Sequence, residues 1–182
     1  MRKISKMDAT ALRAMQAPLK DRYRAEPGMA VVTLRAEGTL VDGIACKVET
    51  GRAMAVAGLH PATGGSGAEL CSGDMLLEAL VACAGVTLKA VSTALGIEIR
   101  DGRVRAEGDL DFRGTLGVDK GAPVGFRSIR LTFDVDTDAP QEQVDQLLKL
   151  TERYCVVFQT LSVKPALEVA LRRLDQELAR RS

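Results

Sequence analysis

The sequence predicts a single α+β domain, with helices and antiparallel strands in separate stretches, and three observations carry that expectation. Residues 30–60 and 104–136 hold β-rich stretches in which apolar residues alternate with polar ones around turn signals. Between them lies Ser72 to Leu95, apolar nearly all round and bounded by helix signals. After the second β-rich region, apolar residues recur at spacings of three and four. A chain of 182 residues buries roughly 70% of its unfolded surface and needs neither disulfides nor a structural metal to stay folded.

The elements follow in order. Ala9 to Arg24 has Leu12, Met15 and Leu19 at helical spacing and reads as an amphipathic helix despite Pro18, ending near Glu26-Pro27-Gly28. Residues 1–29 are therefore expected as a helical extension, and 30–182 as the domain proper. Ala30 to Ala36 is β-rich, Val41-Asp42-Gly43 supplies a hairpin turn, and Ile44 to Glu49 and Met54 to Leu59 give further strands of a small antiparallel sheet. His60 to Gly67 is a loop by composition. Ser72 offers an N-cap, Asp74 an acid in the first turn and Gly96 a C-cap for the apolar helix, which needs burial on most faces, inside the domain or at an oligomer interface. Val104 to Phe112 and Ser128 to Asp136 read as an antiparallel strand pair flanking the loop Gly114 to Gly125. Asp138 is the expected N-cap, with Pro140 in the first turn, of a helix to about Arg153, and a short helix follows Cys155. Leu167, Leu171, Leu174 and Leu178 argue helix over Pro165 to Arg181, although Leu167-Glu168-Val169 also suits the start of a strand.

Composition excludes several functions. Lys plus Arg (25) against Asp plus Glu (24) leaves +1, and the chain has two Tyr, four Phe and no Trp, so it lacks both the charge and the stacking rings of a single-strand nucleic-acid binder. Met75 to Val91, the most apolar stretch, is interrupted by Glu78 and Lys89, and no membrane span is expected. Met1 to Lys20 carries no secretory pattern, so the expected location is cytoplasmic, with thiols reduced. The four cysteines, Cys46, Cys71, Cys83 and Cys155, form no C-x-x-C pair and His60 is the only histidine, which argues against a zinc site and leaves little scope for a Ser-His or Cys-His nucleophile. Gly64, Gly65 and Gly67 match no phosphate-loop motif. The basic end, Arg172, Arg173, Arg180 and Arg181, reads as a solvated helix face. No cofactor is implied.

Thiols remain. Cys83, inside the apolar helix, reads first as core packing. Cys155 precedes a short helix whose amino end favours a thiolate. Four cysteines permit three complete pairings, and the spacing alone selects none.

The run Ser72-Gly73-Asp74-Met75-Leu76-Leu77-Glu78-Ala79-Leu80-Val81-Ala82-Cys83-Ala84-Gly85-Val86-Thr87-Leu88, and then Glu152-Arg153-Tyr154-Cys155-Val156-Val157-Phe158-Gln159-Thr160-Leu161, resembles the two cysteine motifs of the OsmC/Ohr family, in order. The resemblance implies an OsmC-like fold over about residues 30–171: antiparallel sheets packed on long central apolar helices in an intertwined homodimer, with active sites at the subunit interface. It implies thiol-dependent reduction of organic hydroperoxides or hydrogen peroxide, with Cys83 peroxidatic, Cys155 resolving and an external dithiol returning the electrons. Cys46 and Cys71 fall outside both motifs.

The sequence departs from the family's reductase branch at the activating residues. That branch places a glutamate about ten residues before the first cysteine and an arginine near the first hairpin. The nearest acid here is Asp74, nine residues before Cys83, and Val41 stands where the arginine is expected, leaving Arg35 and Arg52 as substitutes. Nine helical residues place Asp74 on the opposite face from Cys83, about 13.5 Å along the axis. Val156 replaces the commoner proline after the second cysteine. Three readings stand: a two-cysteine peroxidase, a non-catalytic dimer binding an apolar small molecule at its interface, and a structural dimer whose thiols only pack.

Overall fold

A computed structural model describes residues 9–41, 45–48, 58–68 and 70–171. Helix α1 (Ala9–Ala25) leads through a 3-10 turn at Pro27–Ala30 into β1 (Val31–Val41), and β2 (Ala45–Val48) returns antiparallel to it, with Leu40 opposite Cys46. Helix α2 (Ser72–Leu95) follows the His60 loop. After it come β3 (Asp101–Asp111), the one-turn helix α3 (Phe112–Thr115), β4 (Phe126–Asp136), α4 (Gln141–Tyr154) and α5 (Val156–Ser162). The sheet order is β2-β1-β3-β4, antiparallel throughout. The two β-rich regions thus join into one sheet through β1 and β3, which pair from Val31 opposite Asp111 to Thr39 opposite Arg103.

Strand alternation divides the sheet into two faces. On the inner face Val104 lies opposite Phe133 and Ala106 opposite Leu131. These residues meet the α2 stripe Leu77, Leu80, Val81 and Ala84, together with Tyr23, Phe112 and Cys155, in the main core. A second cluster joins Leu88 of α2 to Ile97 and Leu147. Gly108 is required here, since a Cβ would come within 2.4 Å of the Phe126 ring. The outer face is a ladder of charge, with Arg105 on Asp134 at 2.5 Å and Arg130 on Asp109 at 2.6 Å. By length and hydropathy α2 is also a candidate membrane span, but its Leu77–Leu88 stripe is buried against the sheet and α4. Leu76, Val86 and Leu95 lie exposed, so the described residues cover only part of the helix.

Several boundaries differ from the expectation. Cys71, not Ser72, occupies the N-cap of α2 and makes no side-chain cap bond, whereas Gly96 ends the helix at φ 69° as a left-handed C-cap. Asp138 does not cap α4, because both its carboxylate oxygens receive the guanidinium of Arg100; Pro140 takes the cap position instead. Part of the expected loop 114–125 forms the end of α3. The hairpin turn at 42–43 and most of the strand expected at 54–59 lie outside the described residues, and Gly58 and Leu59 are irregular. The helix expected from Pro165 is absent as far as Leu171, where Val169 is 98% and Leu171 95% exposed. Among the described residues no surface receives those side chains, and a short amphipathic segment without a packing partner is marginal as a helix. Residues 172–181 lie outside the described residues.

Candidate active site

Two elements far apart in sequence bring the motif thiols together. Cys83 sits mid-way along α2, and Cys155 occupies the junction of α4 and α5. That junction is held by backbone and side chain alike: the Cys155 N–H donates to Thr151 O at 2.9 Å, the Gln159 N–H to Cys155 O at 2.9 Å, and Gln159 Nε2 reaches back to Glu152 O at 2.8 Å. Thr151, itself buried, donates its hydroxyl to Leu147 O at 2.8 Å. A Leu147 anchored against Leu88 of α2 then sets the end of α4 beside Cys83. Cys155 is fully buried, Cys83 is half-buried, and both are free thiols.

Each thiol acts on the other, and their surroundings push them in opposite directions. Burial pushes the Cys83 thiol up. It is outweighed by hydrogen bonds from the Val157 N–H, the Cys155 thiol, Thr87 and the Val156 N–H, and the net shift is downward from the ordinary value. The Thr87 hydroxyl has one proton and donates it to Cys83 O at 2.8 Å, which makes the amides and the Cys155 thiol the principal donors. Cys155 is pushed up to about 11, first by burial and then by Cys83, against the Phe158 and Val157 amides. The expected thiolate at Cys155 is therefore corrected: the start of α5 stabilises charge on Cys83, and Cys155 remains the protonated donor.

The remaining candidates lie elsewhere. Asp74 is in the first turn of the continuous α2, and its electrostatic partners are His60 and Glu78. Burial raises its carboxyl while His60 lowers it. His60 stacks on Phe112 with centroids 4.9 Å apart and accepts the Ala62 N–H on Nδ1 at 3.0 Å, so it is a shaped part of its loop. Arg35 lies opposite Glu107 in the β1–β3 register, and Glu107 belongs to the charged outer face with Arg130 at 3.5 Å. Arg52 lies outside the described residues. Cys71 packs on the rim of the main core, twelve residues and about 18 Å of helix from Cys83, and Cys46 is placed only by its β1–β2 register.

Sequence reasoning missed two groups near the thiols. The first is the pair of α5 amides on Cys83; the helix start was legible, but not which sulfur it faced. The second is a cavity of about 400 Å³ between α2, β4 and α5, whose lining includes Leu80, Phe126, Leu131 and Phe158 together with Arg127 and Ser162. No local pattern marks its lining, which comes from three separate elements.

The OsmC-like protein family model matches residues 65–170, a span that includes both thiols and more than half of the chain. Among solved structures, the crystal structure of an OsmC-like hydroperoxide resistance protein from Jannaschia sp. CCS1 superposes with a TM-score of 0.58. It is 18% identical, and the match covers 80% of this chain and 96% of that one, a likeness of fold. No curated protein matches the chain. With the family model spanning the central helix, the sheet's β3–β4 pair and the α4–α5 junction, the chain belongs to the OsmC-like protein family.

Proposed function

We propose that the protein is a two-cysteine thiol peroxidase that acts on organic hydroperoxides, and the observation that carries this reading is the adjacent, mutually interacting Cys83–Cys155 pair, with the Cys83 thiol shifted down and the Cys155 thiol shifted up. The Cys83 thiolate attacks the terminal peroxide oxygen. The O–O bond breaks, Cys83 becomes a sulfenic acid, and the departing alkoxide takes a proton from the neighbouring Cys155 thiol. The Cys155 sulfur then attacks the Cys83 sulfur, hydroxide leaves and is protonated to water, and a disulfide forms. One hydroperoxide and two thiols thus give one alcohol, one water and one disulfide. An external dithiol returns two electrons and two protons.

The order of events follows from the charges. While Cys83 is a thiolate, its negative charge helps to keep Cys155 protonated. Conversion of Cys83 to a neutral sulfenic acid removes that charge, and the resolving thiol ionises more readily only when it has something to attack. Leu80, Phe126, Leu131 and Phe158 in the lining of the cavity offer apolar side chains for an alkyl group to pack against.

The working unit in this reading is a homodimer. Leu76 and Val86 on α2, Val156 at the start of α5 and the extended Leu167, Val169 and Leu171 are exposed apolar surface that a second copy would cover. The test is turnover of cumene hydroperoxide with a dithiol donor. Wild type should consume it catalytically, Cys155→Ser should consume about one equivalent, and Cys83→Ser none. Dependence on Cys71 instead of Cys155 would refute the pairing. A second reading, a binding protein that keeps the dimer and takes an apolar ligand, is favoured by the groups acting on Cys83, which are amides, a hydroxyl and a thiol. It predicts ligand uptake by Cys83→Ser and no peroxide turnover by wild type.

A further inference from the structure

His60 holds the loop before α2 by a ring nitrogen acting as acceptor. Its Nδ1 takes the Ala62 N–H at 3.0 Å and so caps the 3-10 turn Pro61–Thr63. A neutral imidazole carries one proton, and this bond assigns it to Nε2. Stacking on Phe112, with centroids 4.9 Å apart, keeps the ring in place. The turn closes around the His60 carbonyl, which accepts the Thr63 hydroxyl and the Thr63 N–H, both at 2.8 Å, and the Gly65 N–H at 3.1 Å.

The same turn is the seat of α1. Tyr23 donates its hydroxyl to Ala62 O at 2.6 Å, and Gln16 Nε2 reaches Thr63 O at 3.4 Å. Met15 lies so close to Gly64 that a Cβ there would come within 2.8 Å of its Cγ. Ala62 therefore links imidazole to helix, with its N–H on His60 and its carbonyl on Tyr23. The charged groups around the ring come from two other elements. From α2, Asp74 attracts the imidazolium, and Glu78 is coupled to Asp74 in turn. On α3, next to Phe112, Arg113 is committed to Asp111 at 2.6 Å and to Asp119 at 3.4 Å. From α1 the turn meets the uncharged Met15, Gln16 and Tyr23. Burial opposes the imidazolium more strongly than Asp74 favours it, so the ring is neutral at pH 7.

We propose that His60 is a pH-responsive latch: neutral, it fastens α1 to the domain through the Pro61–Thr63 turn, and protonated, it releases the helix. An imidazolium carries hydrogen on both nitrogens, so Nδ1 then faces the Ala62 N–H donor to donor, and turning the ring over restores no acceptor. The cap is lost, the turn opens, and the Ala62 and Thr63 carbonyls no longer hold Tyr23 and Gln16. The sign follows from burial. Because folding lowers the midpoint of His60, the latch is fully closed above pH 6.5 and opens as pH falls through the lowered midpoint. It acts on α1 and takes no part in the sulfur chemistry, so it stands or falls separately from the peroxidase reading.

The experiment follows amide hydrogen exchange in α1, from Met15 to Tyr23, between pH 7.5 and 5, corrected for the intrinsic pH dependence of exchange. It compares wild type, His60→Asn, His60→Ala and Asp74→Asn, each checked for folding by circular dichroism. Asparagine supplies a cap acceptor that does not titrate, whereas alanine supplies none. In wild type, protection of α1 should fall about fivefold, the scale of a lost cap, with the midpoint at which His60 titrates by NMR. His60→Asn should keep its protection across the range, and His60→Ala should lack it throughout. Asp74→Asn should move the loss to lower pH, because the attraction that favours the imidazolium is gone. Protection in wild type that does not change through the His60 titration overturns the proposal. So does an equal acid loss in His60→Asn, which would place the sensitivity in another group. Should His60→Asn fail to fold, an unshifted midpoint of the loss in Asp74→Asn overturns it instead.

Discussion

Tyr23 ties α1 to the domain, and its removal in two steps separates a hydrogen bond from a packing contribution. The ring is 1% exposed within the main core, and its hydroxyl donates to Ala62 O at 2.6 Å in the His60 loop. Tyr23→Phe keeps the ring and leaves the Ala62 carbonyl without this donor, at a cost of about 1 kcal/mol for a single hydrogen bond. Tyr23→Ala also empties the space of a fully buried aromatic ring, and large-to-small changes of that kind cost about 3–5 kcal/mol. For a chain of this size 1 kcal/mol corresponds to a Tm shift of about 2–4 °C, so Phe should lower Tm by a few degrees and Ala by roughly three times as much or more. Urea unfolding followed by circular dichroism gives both values. A Tyr23→Ala cost below about 1 kcal/mol would show that α1 is not part of the cooperative core and would refute the reasoning. Because Gln16 Nε2 also reaches Thr63 O at 3.4 Å, the Ala variant should expose the 60–64 backbone to faster hydrogen exchange.

Other consequences concern charge. Alkylation of Cys83 by iodoacetamide should rise with pH through a midpoint below the ordinary thiol value. Cys155→Ala should move that midpoint upward, because a donor to the thiolate is lost, while Cys155→Ser should move it less. The His60 imidazole should titrate below 6.5 by NMR, since burial opposes its charged form, and Asp74→Asn should lower its midpoint further by removing the attraction that opposes burial. Asp111→Asn should cost about 2 kcal/mol near neutral pH, the scale of hydrogen bonds to a charged group. Arg113 holds the Asp111 carboxyl below the usual carboxylate range, so its contribution is present above pH 3.8 and is lost as pH falls through the lowered value. The stability gap between wild type and Asp111→Asn should therefore close in acid, as followed by unfolding at successive pH values.

How much of this could be read from the residues depends on how local each signal is. Helix α2 is announced by a run that is apolar nearly all round and by Gly96, and β3 and β4 by strict alternation. The two cysteine motifs carried the family directly. What failed was non-local or depended on a partner. The pairing of β1 with β3 joins residues some seventy positions apart, and nothing in Val31 to Val41 announces it. Asp138 has the chemistry of an N-cap, but Arg100, almost forty residues earlier, engages its carboxylate. Leu167 and Leu171 have helical spacing without a surface among the described residues to receive them. At the site, the residue types were legible and the direction of ionisation was not, because the amides of Val156 and Val157 face a sulfur on another helix.

The claim that Cys83 and Cys155 are a working redox pair is tested most directly by the covalent product. Wild-type protein is treated with one equivalent of cumene hydroperoxide, digested without reductant and examined by mass spectrometry. The account predicts a peptide linking Cys83 to Cys155, released by dithiothreitol, and in Cys155→Ser a sulfenic acid on Cys83 that overoxidises with further peroxide. Recovery of both cysteines as free thiols after a tenfold excess of hydroperoxide, with the protein still folded, would contradict it.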